Sequence, residues 1–477
     1  MRGLPAIAST ESFRVRRWDA VVLGGATPGL IAAICLAKRG ARVLVLEEAK
    51  ALAGFQGLRE PFLMTGAESD QVLGACLRAL GIPLIDQRRL VSRDLALQVV
   101  LPDARLDLGR PHLSIDELTA WGLAKPEVAR AMLSALQEAS EAERLAMLSG
   151  VVVRSGRRLG RGPRRSQSEV PLRARDRATR LPPARGLPAE VTAAPPRVAT
   201  LLRAVCKTLA HRAGAPISPE AQARMLGSLL GGGALLGGGD GWLRGMLRRR
   251  LTSLFGEFRS VAGPIRLVTV AQQPGLAIGD SDEIWAGRAL VLNAPRAALA
   301  RALAQEVPDL LRGPPVTHNR VFLHLQGPRS VLPESMSDSL VWLRDPALPL
   351  EGTNLIAIRC FAGRGRDAVD VLASAVVPVD AAREGAVGDE IERALRDLLP
   401  FSEGSLVRVP TPQPSWDSDA LLSDSEPGAG WPHECDVRVS SRPLVYALER
   451  SWLGGLGFEG DLLLGWRGGD AIAGDLS

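Results

Sequence analysis

The residues of this 477-residue chain best placed to do chemistry lie close to its start. Gly24, Gly25 and Gly29 follow the apolar run Ala20–Leu23, and Glu47 stands at the end of a second run, Arg42–Leu46. The spacing predicts a strand, a tight glycine turn, a helix over Leu30–Arg39 stopped by Gly40, and a second strand tipped by the carboxylate. A unit of this kind holds a dinucleotide. The helix N-terminus offers free N–H groups and a positive dipole end to the pyrophosphate, and the acid accepts hydrogen bonds from the adenosine ribose hydroxyls. An acid at position 47, in place of a base, points to FAD or NAD over NADP. Ala26 breaks the pattern, because it stands where a second glycine would let the backbone approach the phosphates.

Other reactive constellations are sparse. The five histidines show no metal-ligand spacing, so no metal is expected. His318 and His324 share one face of a predicted strand but have no third ligand, and read as packing residues. Cys35, Cys76, Cys206, Cys360 and Cys435 are scattered, with no C-x-x-C pair, as in reduced thiols of a cytoplasmic protein. There is no Walker loop, G-x-S-x-G elbow or H-E-x-x-H helix, and no residue is assigned a catalytic role. No apolar run reaches membrane-spanning length, so the expected location is the cytoplasm, with peripheral membrane contact left open.

The net charge of +6 belongs to one segment. Residues 154–185 hold eleven arginines against Glu169 and Asp176, leaving the remainder acidic. The Arg/Pro-rich stretch 150–196 has no apolar period and is expected to be a disordered insertion. It reads as a solvated linker, or as a contact for an acidic protein or a membrane surface. With no interleaved aromatics, specific nucleic-acid binding is not expected.

Around these features the periodicity predicts helices at Glu68–Leu80, Ile115–Leu148, Arg197–Leu209, Pro219–Leu230 and Asp389–Leu399. The glycines Gly237–Gly239 lead into an amphipathic helix with Leu243, Met246, Leu247, Leu251 and Leu254 on its apolar face. Arg244, Arg248 and Arg249 fall on the face expected to be solvated. Strands are predicted at Ile265–Val270 and Glu283–Pro295. Further strands at 319–325, 339–343 and 354–360 suggest an antiparallel sheet.

Taken in order, these segments resemble the FAD-dependent amine oxidase and phytoene desaturase superfamily. Ala53, Gly54 and Phe55 fall where that family has G-G-R after the ribose acid. Gly238–Gly239, LVLNAP at 290–295 and Thr411–Pro412 are similar to its later motifs. GDLLLGWRGGDAIAG at 460–474 looks like its last motif, with Trp466 in the place of an acid and Gly465 in the glycine-rich start.

The resemblance implies an α/β fold. A Rossmann-like FAD-binding domain would be assembled from 17–58, 233–300 and 446–477. An α+β substrate domain, with a mostly antiparallel sheet, would come from 59–232 and 301–445. The cofactor residues would be Gly24, Gly25, Ala26, Gly29, Glu47, Gly54 and Gly465.

The activity implied is dehydrogenation or desaturation, with hydride passing to flavin N5. One tyrosine and four lysines fit no amine site, so the expected substrate is apolar and isoprenoid-like. Ala26, Phe55 and Trp466 together weaken the expected hold on FAD. The alternative is a flavin-free structural or regulatory subunit, with the arginine-rich loop docking an acidic partner.

Overall fold

A computed structural model describes residues 4–5, 14–149, 153–156, 186–214, 216–237, 242–278, 283–303, 305–363, 365, 367–380, 384–412, 414–424 and 435–477. The stretch 157–185 and the Gly238–Gly239 pair lie outside the described residues.

Strand β1 (Arg14–Leu23), helix α1 (Thr27–Lys38) and strand β2 (Val43–Glu48) form the opening unit, and β1 and β2 pair in parallel. The strand Glu283–Leu292 lies parallel to β1 on its other side and is followed outward by Leu444–Ala447; Glu257–Val261 lies parallel to β2. Parallel strands covered on both faces carry unbroken apolar runs, and Ala20–Leu23, Val43–Leu46 and Ala289–Leu292 are all buried. The second sheet is mainly antiparallel. It runs Val407–Val409, Val316–Pro328, Ala368–Pro378, Leu355–Ala362, Ser339–Leu343, Leu95–Val100 and Arg105–Gly109, with one parallel pair. The chain is thus a mixed α/β protein with one sheet built on a parallel core, which Ile265–Val270, Gln273–Ile278 and Arg438–Ser441 extend by antiparallel pairing, and one mainly antiparallel sheet.

Several boundaries differ from expectation. The helix predicted over Ile115–Leu148 is two, Pro111–Ala120 and Pro126–Ser149, broken where Gly122 takes a positive φ of 63° and Pro126 starts the next turn. Gly233–Leu236 pairs with Leu90–Arg93 outside the parallel layer, and that layer takes strands from Arg438 onward. The ends of the expected insertion are in regular structure: Val153–Arg154 pairs with Cys435–Asp436, and Ala189–Thr192 is helical.

The largest correction concerns the last motif. Residues Phe458–Leu476 form one helix, so Trp466 is not at a strand tip and Gly465 packs against α1. The strand with an acid behind it comes earlier, Leu444–Ala447 followed by Glu449, and Glu449 is held by Arg296 at 2.7 Å. The C-terminal helix lies along α1. A Cβ on Gly465 would meet Pro28 O at 2.6 Å and Ile31 Cβ at 2.8 Å, and one on Gly469 would meet Ala32 Cα at 2.8 Å. These glycines let two helices touch. Gly465→Val should therefore lower the unfolding free energy by about 1–3 kcal/mol, the usual cost of overpacking. Denaturant titration checks it.

The segment after Thr411–Pro412 is tied across the end of β2. Glu48 accepts hydrogen bonds from the N–H groups of Ser415 (2.9 Å), Trp416 (2.9 Å) and Asp417 (3.2 Å), and from Ser415 Oγ (2.9 Å). Burial works to raise the Glu48 carboxyl, but these donors outweigh it and hold its pKa below the ordinary value. A depressed folded pKa stabilises above the unfolded value. Glu48→Gln should therefore be less stable than wild type at neutral pH, and the gap should close as pH falls below about 4.3. Thermal midpoints from pH 7 to pH 3 measure this.

Candidate functional site

The glycine turn is held from outside. Gly24, at a φ of 108° that suits glycine, donates to Leu46 O, while Asn293 Nδ2 donates to Gly24 O and Ala26 O at 3.2 Å each. Asn293 belongs to the LVLNAP segment, and a Cβ on Gly29 would run into its side chain. Pro28, in the first turn of α1, removes one N–H that the helix would otherwise present.

The groups that would face a dinucleotide are engaged by the chain itself. Gly25 N–H donates to Asp417 Oδ1 at 3.2 Å. Gly25 C=O accepts from Arg244, 2.7 Å from Nη2 and 3.1 Å from Nε. Arg244 Nη2 also reaches Glu47 Oε1 at 2.7 Å, and Arg248 Nη1 reaches Glu47 Oε2 at 2.7 Å. Both oxygens of Glu47 are thus held by guanidinium groups. The Glu47 carboxylate lies so close over Gly25 that a Cβ there would collide with it.

Arg244 corrects the amphipathic reading of its helix, Leu243–Ser253. It is 3% exposed and faces the glycine turn, whereas the sequence pattern puts it in solvent. Glu60 sets that helix in place by accepting from the N–H groups of Leu243 (2.8 Å) and Arg244 (3.0 Å), the N-terminal donors of the helix.

A second missed arginine, Arg59, grips Asp417 at 2.6 Å and lies 3.4 Å from Asp419. The alternation continues from Asp419 to Arg450 (3.3 Å), to Asp461 and to His211 (3.1 Å). Asp419 and Asp461 would be raised by burial, yet the arginines and, for Asp461, His211 hold both below the ordinary range. Burial, then Arg450, lowers His211, which favours the neutral imidazole.

Phe55 points elsewhere. Its ring stacks on His324 at 4.4 Å and meets Phe361 and Trp242 edge-on at 5.4 and 5.9 Å. His324 is fixed by Asp370 at 2.7 Å. An arginine is still supplied to the turn, by Arg59 four residues on. Gly54 ends the short helix Ala49–Ala53 beside Leu58 and Pro412, away from the charged turn contacts.

Thus the structure brings Gly24, Gly25, Ala26, Gly29 and Glu47 together and leaves Gly54 and Gly465 outside. The donor set at the turn fits a diphosphate: a glycine N–H, a helix N-terminus and Arg59. The carboxylate of Asp417 occupies the Gly25 N–H and Arg59, and Arg244 with Arg248 occupies both oxygens of Glu47. Next to the turn is a cavity of about 50 Å³, lined in part by Thr27, Arg59, Arg359 and Arg450. Among the described residues no cluster of His, Cys, Asp or Glu could hold a metal ion, and no helix is long and apolar enough to cross a membrane. Cys35, Cys76, Cys206 and Cys360 are buried free thiols, and burial pushes Cys206 up to about 12.

No protein-family model matches the chain, and no curated protein does. Solved structures do match, over nearly the whole length. An oxidoreductase from Methanosarcina mazei aligns at 15% identity and a TM-score of 0.54, covering 94% of this chain and 99% of its own. Cyclohexylamine oxidase from Brevibacterium oxydans aligns at 15% identity and a TM-score of 0.52, covering 96% and 99%. Putrescine oxidase bound to putrescine aligns at 13% identity and 0.52, also covering 96% and 99%. The chain shares the fold of these oxidoreductases.

Proposed function

We propose that this chain is a flavin-dependent oxidoreductase whose nucleotide turn carries an internal anion that FAD displaces on binding. The observation supporting this is Asp417, whose carboxylate lies between the Gly25 N–H and the Arg59 guanidinium. Groups that hold anions have been kept there, and an anion of the chain's own stands among them. In the loaded protein, Gly24, Gly25 and the start of α1 would hold the diphosphate. Glu47 would hold the ribose, and Arg59 and Arg244 would balance the phosphate charge. Bound flavin supplies a two-electron acceptor for hydride removal. The chain's own contribution is positioning: Asn293 keeps the turn in shape, and Glu60 fixes the helix that carries Arg244.

An apolar, isoprenoid-like substrate finds little support in a cavity lined by four arginines, Arg59, Arg320, Arg359 and Arg450. The segment 154–185 is kept as a solvated linker, with contact to an acidic partner or membrane surface as its alternative, and a cytoplasmic location is kept with it. A flavin-free scaffold is the second functional reading, favoured by the full engagement of Glu47 by Arg244 and Arg248.

Titration with FAD, followed by flavin fluorescence and by absorbance near about 450 nm, separates the two. Wild type should take up FAD, and Asp417→Asn should tighten binding about 10- to 100-fold, the worth of one charge-assisted hydrogen bond. Circular dichroism confirms the fold of the variant. Equal affinity in the two proteins would remove Asp417 as competitor. No uptake by wild type, Asp417→Asn or Asp417→Ser, all folded, would overturn the flavoprotein reading and leave the scaffold.

A further inference from the structure

Three neighbouring spaces share lining residues, the innermost beside the glycine turn. The outer chamber is about 470 Å³, the throat about 30 Å³ and the inner cavity about 50 Å³. Lys207 and Arg212 line both chamber and throat; Arg320 and Ser374 line both throat and inner cavity. The cations change in one respect along the way. Arg59 and Arg450 are matched by Asp417, Asp419 and Asp461. Arg359 donates to Pro61 O, lies over the Phe361 ring at 4.3 Å and has Glu60 nearby.

Arg320 has no such match. It projects from the strand Val316–Pro328 and reaches the carbonyls of Thr208 and Ala210 only at 3.4 Å. Its buried Nε has no hydrogen-bond partner, and among the described residues no carboxylate pairs with it. Burial, and then Arg450, pulls its pKa down to about 10, so it stays charged at neutral pH. A charge taken out of water without a counter-charge is costly, and an anion entering the passage would offset that cost. Leu355 and Val376 in the throat and Phe322 and Leu372 further in give the walls apolar stretches between polar residues, among them the exposed Glu351 at the throat and Asp419 and Asp461, already paired with arginines, in the inner cavity.

We infer that this passage binds an organic carboxylate with an apolar body, its carboxylate seated on the Arg320 guanidinium and its body along the throat. The guanidinium fork matches the two oxygens of a carboxylate. Ser374, in the shared wall, offers a hydroxyl as a further donor. An amine of the same shape would meet Lys207, Arg212 and Arg320 in turn. The inference does not require bound flavin.

Calorimetric titration of the full chain with phenylacetate, 2-phenylethylamine and inorganic phosphate tests it. Phenylacetate should bind with a sub-millimolar Kd, weakened at least tenfold in Arg320→Gln and less in Arg320→Lys, and the amine should not bind. If Arg320→Gln fails to fold, the wild-type comparison of the three probes and Arg320→Lys decide. The inference fails if folded wild type ignores phenylacetate at millimolar concentration, if the amine binds as well, or if phosphate binds more tightly. Equal phenylacetate affinity in folded Arg320→Gln would also overturn it. Because no flavin is added, failure here leaves the flavoprotein reading untouched, and failure of FAD uptake leaves this one standing.

Discussion

The buried carboxylate of Asp417 is the constraint on which the centre of this molecule turns. Its side chain is 2% exposed, and it accepts from Gly25 N–H, Glu48 N–H and Arg59 together. A carboxylate this deep is tolerable only with its charge and lone pairs matched. Meeting that condition draws the glycine turn, the end of β2, the Arg59 turn and the Ser415–Asp419 segment to one point. The same logic then propagates: Arg59 brings Asp419, Asp419 brings Arg450, and Arg450 brings Asp461 at the start of the C-terminal helix. Apolar packing builds each layer, and alternating charge sets how the layers meet.

This arrangement explains why the turn can keep its shape around an imperfect fingerprint. Where Ala26 and Pro28 reduce what the backbone offers to a phosphate, Asn293, Arg244 and Asp417 hold the turn from three sides. Removing any one member of a buried pair strands its partner, so the network resists piecemeal loss more strongly than its net contribution to stability would suggest.

The sequence made the layers legible where one segment carries the whole signal. The run Ala20–Leu23, the glycines and Glu47 lie within thirty residues and report on each other through fixed strand and helix geometry. Arg244 was hidden by its own neighbours. Leu243, Leu247 and Leu251 define an apolar face that makes any adjacent arginine look solvated, and only Glu47, 197 positions away, makes its burial acceptable. Asp417 is 392 positions from Gly25, and no local pattern distinguishes it from a loop aspartate. The DLLLGW run was ambiguous in a different way, since a short apolar stretch has the same composition in a strand or a buried helix. The four-residue step from Gly465 to Gly469 was a usable signal, because it places both glycines on one helical face.

Cyclohexylamine oxidase and putrescine oxidase share this fold, yet the spaces next to the turn in this chain are lined by arginines. A shared fold at 12–15% identity carries a scaffold, and what the scaffold admits is decided by the charges along its entrance. Two like charges at 4 Å repel by about 4 kcal/mol at the effective dielectric near a protein surface, roughly a thousandfold in affinity. A basic lining is thus enough by itself to turn such an entrance from cations to anions, with no change in the strands beneath. Arg320 shows the change at its sharpest. Arg212 is buried with Asp424 as its counter-charge, whereas among the described residues no carboxylate pairs with Arg320, and there a counter-anion has the most to offer.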